Sequence, residues 1–293
     1  MNATETWTVG KLLSWTAEFL KKHGASSPRL DAEVLLAHVR GCQRIDLYTA
    51  FSDEPNDDTK SAFRQMVRQR AEGKPVAYLV GHKEFYSMNF RVSLDVLIPR
   101  PETEHLVVEA LDRAKLLRQS RVGQARLEIA DVGTGSGCVA IAIAKHLDNC
   151  RLTAIDVSRP ALEIAKENAR THDLSAEQIE FVESDLFHSV AGRFDIIVSN
   201  PPYVSASEYA HLDRSVREYE PVQALVAGDE GYEVLRELLL QASAHLADDG
   251  YLIFEFSPML AKRLPEFVDD GWHAPLISKD LAGLARIVTL QKK

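Results

Sequence analysis

Four consecutive residues, Asn200-Pro201-Pro202-Tyr203, combine an amide, two prolines and an aromatic ring. Proline fixes φ and has no N–H, and it stiffens the residue before it. What the segment offers a ligand is therefore acceptors, the Asn200 side-chain oxygen and the Pro201 carbonyl, beside a ring that can stack on a flat group. A planar NH₂, as on a carboxamide or an amino-purine, fits that offer. Its lone pair is delocalised and poorly nucleophilic. Two acceptors that take both hydrogens, with Tyr203 against the plane, would aim the lone pair at an electrophilic carbon. Orientation of this kind is worth up to about 7–11 kcal/mol of barrier, and the acceptors would also stabilise positive charge growing on nitrogen. No strong general base is needed. By itself such a tetrapeptide reads as a rigid turn. Its place directly behind the apolar run Phe194–Ser199 sets it at the end of a strand, where ligands gather in open α/β sheets.

About seventy residues earlier, Ile129-Ala130-Asp131-Val132-Gly133-Thr134-Gly135-Ser136-Gly137 ends one strand-like run and opens a helix. Glycines permit a tight turn and close approach of a ligand to the backbone, and the helix start presents free N–H groups. Asp156 ends the next strand, where a carboxylate could hold both hydroxyls of a ribose. The spacing is G-x-G-x-G rather than G-x-G-x-x-G, because position 138 is Cys. Asp131 precedes the first glycine by two, which suits a zwitterionic amino-acid end better than a pyrophosphate. Adenosine joined to a methionine, with no phosphate, meets both conditions, so the pattern favours S-adenosylmethionine over a nicotinamide dinucleotide; a ligand-free turn is the bland alternative. At a third strand end Asp185 could accept from the adenine amino group, with Leu186 against the ring. The expected cofactor contacts are thus Asp131, Gly133, Thr134, Gly135, Ser136, Gly137, Asp156, Asp185 and Leu186, with Asn200 facing the methyl donor, and S-adenosylhomocysteine is the expected product.

These residues need a sheet to position them. From about residue 100 the chain alternates strand-like runs (Leu127–Val132, Leu152–Asp156, Ile179–Glu183, Phe194–Ser199, Tyr251–Phe256) with helical runs (Cys138–Leu147, Ser158–His172, Tyr232–Leu246), which implies a mostly parallel sheet wrapped by helices. A helix over about Glu102–Gln119 precedes them and a last strand, Ile287–Gln291, follows. Before residue 75 the pattern is helical only. Val9, Leu12, Leu13, Thr16, Phe19 and Leu20 recur at helical spacing, with Thr8 as a cap and Gly24 as a stop. Further helices are expected over Pro28–Arg40, Arg44–Phe51 and Asp57–Glu72. Between Pro75 and Pro99, short β-type runs around Phe85, Tyr86, Phe90 and Val92, separated by Ser87–Asn89, read as a hairpin linker. The expected division is 1–74, 75–99 and 100–293.

The chain has 293 residues and a formal net charge of −9, with a sequence pI near 5.6. An acidic balance without a basic stripe argues against a stable nucleic-acid partner. No apolar run is long enough to span a bilayer, and Met1–Trp15 lacks the pattern of a signal peptide. Cys42, Cys138 and Cys150 are scattered, and neither they nor His23, His38, His82, His105 and His172 have metal-ligand spacing. A cytoplasmic protein without a metal is the expectation, and a monomer is the preferred state.

Taken with Leu30–His38, Pro75–Gly81, Val96-Leu97-Ile98-Pro99-Arg100-Pro101-Glu102-Thr103-Glu104, Glu220-Pro221 and Lys279-Asp280-Leu281-Ala282-Gly283, the chain resembles, almost end to end, the HemK/PrmC family of release-factor glutamine methyltransferases. The resemblance implies a class I methyltransferase domain, α/β and Rossmann-like, behind a small all-helical domain that docks the release factor. It implies methylation of the glutamine amide in the Gly-Gly-Gln motif of bacterial class I peptide release factors. Asn200, Pro201, Pro202 and Tyr203 would bind the target glutamine, and Pro99, Arg100, Pro101, Glu102 and Thr103 would border the active site. Arg100 and Glu102 could equally form a structural ion pair or cap. The same tetrapeptide serves adenine and guanine amino-methyltransferases of DNA and ribosomal RNA, which is the alternative reading; a non-catalytic homologue is another. Two stretches depart from the family pattern: Ser257–Leu260 follows Glu255-Phe256 where Gly and then Gln are usual, and Leu284-Ala285 follows Gly283 where Arg-Asp is usual.

Overall fold

Short-range chemistry sets most helix ends in the first part of the chain. Thr8 caps α1 (Val9–Lys22), its hydroxyl oxygen accepting from the Lys11 N–H. Pro28 stands in the first turn of α2 (Pro28–Arg40), which Gly41 closes in the left-handed region. α3 (Asp46–Thr49) is one turn, and Asn56 caps α4 (Asp57–Ala71) by accepting from Thr59 N at 2.8 Å. A short α5 (Val76–Val80) follows. The computed structural model describes residues 6–120, 126–280 and 282–293. It divides into two units, Met1–His82 with Asp213–Tyr219, and Lys83–Leu212 with Glu220–Lys293. The smaller unit is helical and closes over a core that includes Leu13, Leu20, Leu35, Leu36, Leu47 and Phe63.

β1 (His82–Phe85) and β2 (Met88–Arg91), all but His82 in the larger unit, form a two-stranded hairpin. Tyr86 and Ser87 make its turn with φ of 51° and 57°, and the Tyr86 N–H donates to Glu104 Oε1 at 2.8 Å. A two-residue turn with both φ positive matches the twist of a hairpin. Tyr86 is therefore a turn residue, not the strand residue its aromatic character suggests. Pro101–Thr103 is a 3₁₀ turn leading into α6 (Glu104–Ser120).

Next come β3 (Leu127–Val132), α7 (Cys138–His146), β4 (Cys150–Asp156), α8 (Arg159–Thr171), β5 (Ile179–Glu183) and β6 (Phe194–Ser199). β7 (Val204–Ser205), α9 (Ala206–Tyr209) and α10 (Arg214–Tyr219) follow, with α10 assigned to the helical unit. The chain ends with β8 (Val226–Gly228), α11 (Glu233–His245), β9 (Leu246–Glu255), β10 (Leu276–Lys279) and β11 (Ala285–Gln291). The central sheet has the order β10-β11-β9-β6-β3-β4-β5. Its five strands from β9 to β5 are parallel, and β10 and β11 are antiparallel additions. Alternate residues of one strand face opposite sides. Ile129, Ile196, Val198 and Ile253 join the core with α6 and α7, while Ala130, Val132, Ile197, Leu252 and Phe254 join the core with α11. The sheet is covered on both faces, as a parallel sheet must be.

One expectation is revised. The segment 75–99 is not one linker: α5 and His82 go with the helical unit, and the rest of the segment goes with the sheet. A five-residue helix between Pro75 and Gly81 is too short to show a helical period. The small pair β7 and β8 and the edge strand β10 had no sequence signal either. Leu281, part of the resemblance motif, and residues 1–5 lie outside the described residues.

Candidate functional site

β3 and β6 are neighbours whose onward connections diverge, β3 towards β4 and β6 towards β9. A crevice opens beyond the carboxyl ends of such a pair. The strand register brings four ends level. Val132 pairs with Ser199 and with Ile155, and Ser199 pairs with Phe254. The next residues, Gly133, Asn200, Asp156 and Glu255, therefore stand along one edge of the sheet.

A cavity of about 330 Å³ lies over that edge. Of the residues singled out in the sequence, Asp131, Gly133, Thr134, Gly135, Ser136, Asp156, Asp185, Leu186, Asn200 and Pro202 line it, as do Pro99, Arg100 and Thr103. Gly137, Pro101, Glu102, Pro201 and Tyr203 do not. Gly137 starts α7 at φ +80°, and a Cβ there would stand 3.1 Å from that of Ala165. Its glycine serves close packing of loop on helix rather than the cavity. Gly135, also with φ positive, has nothing within 4 Å of a Cβ position, so the loop backbone is open at that point.

Asp131 is buried, and its Oδ2 accepts from Thr134 Oγ1 at 2.7 Å and Ala140 N at 3.1 Å. Burial pushes its carboxyl up to about 6. Asp156 accepts from Ser158 N at 2.9 Å and Gly135 N at 2.8 Å, so the same carboxylate shapes the glycine loop. Burial raises its pKa too. Two desolvated carboxyls at a cavity, with no Lys or Arg paired to either among the described residues, suit a ligand that brings positive charge and hydroxyl donors. At the third strand end Leu186 adopts φ +48°, outside the usual range for an apolar residue.

Asn200 Nδ2 donates to Thr103 Oγ1 at 3.2 Å, and the Thr103 hydroxyl donates to Glu255 Oε2 at 2.7 Å. The Tyr203 hydroxyl donates to Glu255 Oε1 at 3.2 Å. Glu255 is 2% exposed, and burial raises its pKa while Thr103 and Tyr203 pull it back. The phenol of Tyr203 is also raised by burial and by the Glu255 charge. Arg100 forms a 2.5 Å ion pair with Glu220, whose other oxygen accepts from Ile98 N at 3.3 Å. Arg100 is thus held in an ion pair and also lines the cavity. Glu255 and Glu220 were not among the expected site residues. The strand-end rule that picked out Asp156 and Asn200 also points to Glu255.

Comparison with known proteins supplies independent findings. Residues 11–81 match the PrmC N-terminal domain, and residues 108–217 match the methyltransferase small domain. The chain is 50% identical to a release factor glutamine methyltransferase of Rhodopirellula baltica over 98% of this chain and 97% of the relative. It is 39% identical to one of Koribacter versatilis over 97% and 99%. In fold, it is similar to the hMettl16 catalytic domain, with TM-score 0.55 and 16% identity, covering 77% of this chain and 81% of that one.

Proposed function

The chain belongs to the release factor glutamine methyltransferase family, and from that membership we propose that it methylates the side-chain nitrogen of the glutamine in the Gly-Gly-Gln motif of bacterial class I release factors. The observation that carries this reading is Asn200 at the cavity edge, its Nδ2 occupied by Thr103 and its oxygen left as an acceptor.

S-adenosylmethionine supplies an electrophilic methyl carbon when bound. The residues on this side of the sheet fit it. Asp131 answers the amino-acid end, the open backbone at Gly133–Gly135 allows close approach, Asp156 takes the ribose hydroxyls, and Asp185 with Leu186 borders the base. Asn200 Oδ1 and the Pro201 carbonyl accept the two hydrogens of the target amide nitrogen. Held so, the nitrogen presents its lone pair along the direction of attack, and near-attack positioning supplies much of the rate. Positive charge that develops on nitrogen falls between two acceptors; as the new N–C bond forms, the methyl's bond to sulfur breaks with its electron pair left on the thioether of S-adenosylhomocysteine, and one amide proton then passes to solvent water. Pro201 and Pro202 keep competing N–H donors out of this rim. Tyr203, tied by its hydroxyl to Glu255, steadies the segment. The helical unit would dock the release factor. The protein acts as a cytoplasmic monomer, without a metal and without a stable nucleic-acid partner.

The test is transfer from methyl-labelled S-adenosylmethionine to a release factor, to duplex DNA and to ribosomal RNA, run side by side. Label on the release factor alone is the expected result. Label on nucleic acid alone would keep the fold and donor and replace the substrate with an amino-base.

A further inference from the structure

The polarity of the Asn200 amide decides whether the site can hold an NH₂. With the oxygen towards the cavity it accepts. Rotated by 180° it would turn two more hydrogens on a group that already has two. The fold contains a device that selects between these states. Thr103 Oγ1 lies 2.7 Å from Glu255 Oε2 and 3.2 Å from Asn200 Nδ2. A threonine hydroxyl has a single hydrogen. Glu255, 2% exposed, takes that hydrogen on one oxygen and the Tyr203 hydroxyl hydrogen on the other. Thr103 is then left with lone pairs only on the side of Asn200, and only the NH₂ of the amide can face it. A flipped amide would set oxygen against oxygen in a buried place, where an unmade hydrogen bond costs the most.

We propose that Thr103 and Glu255 are positioning residues that fix the Asn200 amide with its oxygen towards the substrate nitrogen. The inference rests on the reading that the substrate presents an amide NH₂. It also explains why two elements remote in the chain meet here. Thr103 ends the 3₁₀ turn before α6, and Glu255 ends β9, one residue beyond the Ser199–Phe254 pair, at the level of Asn200. Neither needs to touch the reacting atoms. Hydrogen bonds in such a chain also polarise one another, so the carboxylate at its far end makes the Asn200 oxygen a better acceptor.

The decisive variant is Thr103→Val, which keeps the shape and removes both the hydrogen and the lone pairs; Thr103→Ser restores them. For Thr103→Val, kcat on the release factor should fall about a hundredfold, the scale of a misplaced reacting group. Calorimetric affinity for S-adenosylmethionine should stay within about twofold, and Thr103→Ser should recover most of kcat. An undiminished kcat in Thr103→Val overturns the proposal, and so does a loss that serine does not recover. A second readout needs no substrate. In ¹⁵N spectra, one Asn200 side-chain hydrogen, assigned by its disappearance in Asn200→Ala, should exchange slowly in the native enzyme and in Thr103→Ser, and rapidly in Thr103→Val. Equal exchange in all three overturns the proposal even if the release factor proves not to be the substrate, an outcome that the unmutated enzyme alone would reveal. Should Thr103→Val not fold, Thr103→Ala gives the same comparison.

Discussion

Asp131 is the side chain at the site whose charge state can be moved within an ordinary pH range. Burial lifts its carboxyl to about 6, against the donated hydrogen bonds of Thr134 and Ala140. Below that value the folded protein holds it neutral, and above it the carboxylate stands ready for a cation. The affinity for S-adenosylmethionine should therefore weaken as pH falls through about 6, by up to about tenfold per unit, and Asp131→Asn should flatten the profile. Calorimetric titrations at pH 5 to 8 measure this; a flat native profile would exclude the contact. Asp131, Asp156 and Asn200 were legible in the sequence because their types are chemical and their places are strand ends. Glu255 also stands at a strand end, but its tie to Thr103 was not legible, nor was that of Glu220 to Arg100. Their roles come from partners far away in the chain, Thr103 for one and Arg100 for the other, and a partner set by strand register or by a loop's return leaves no local pattern. Tyr203 was legible as an aromatic residue but not as a hydroxyl donor to a buried carboxylate.

At the scale of elements, Asn168 of α8 links the hairpin to the glycine loop. It is 1% exposed. Its Oδ1 accepts from Arg91 N at 2.7 Å, and its Nδ2 donates to Arg91 O at 3.0 Å and to Ser136 O at 2.8 Å. Asn168→Ala leaves buried backbone groups without partners, which costs about 2–4 kcal/mol. Both thermal stability and affinity for S-adenosylmethionine should drop, the first by calorimetry on heating and the second by titration. If both stayed at native values, the link would be ornamental. The helices α1, α2, α4 and α8 were readable from their apolar spacing, with Thr8 expected as a cap and Pro28 near a first turn; the caps at Asn56 and Ser158 come from the structure. The parallel strands were readable from apolar runs. What escaped was short or exposed: α5, β7, β8, and β10 with Leu276 and Ile277 half exposed. Such elements owe their form to neighbours rather than to their own periodicity.

The whole chain joins a helical unit, which matches the PrmC N-terminal domain over residues 11–81, to a parallel sheet whose switch point holds the cavity. Its net charge of −9 suits a protein partner better than a phosphate backbone. The resemblance extends over nearly the full length of both relatives, so both units belong in one proposed reading, in which the helical unit would engage the release factor and the sheet unit would present its glutamine amide to a methyl donor. Tandem mass spectrometry of a release factor, after incubation with S-adenosylmethionine and either the native enzyme or Asn200→Ala, tests that account most directly. One added methyl is expected, on the side-chain nitrogen of the Gly-Gly-Gln glutamine, formed by the native enzyme and reduced about a hundredfold or more with Asn200→Ala. A methyl on any other residue, or equal methylation by the two proteins, would contradict it.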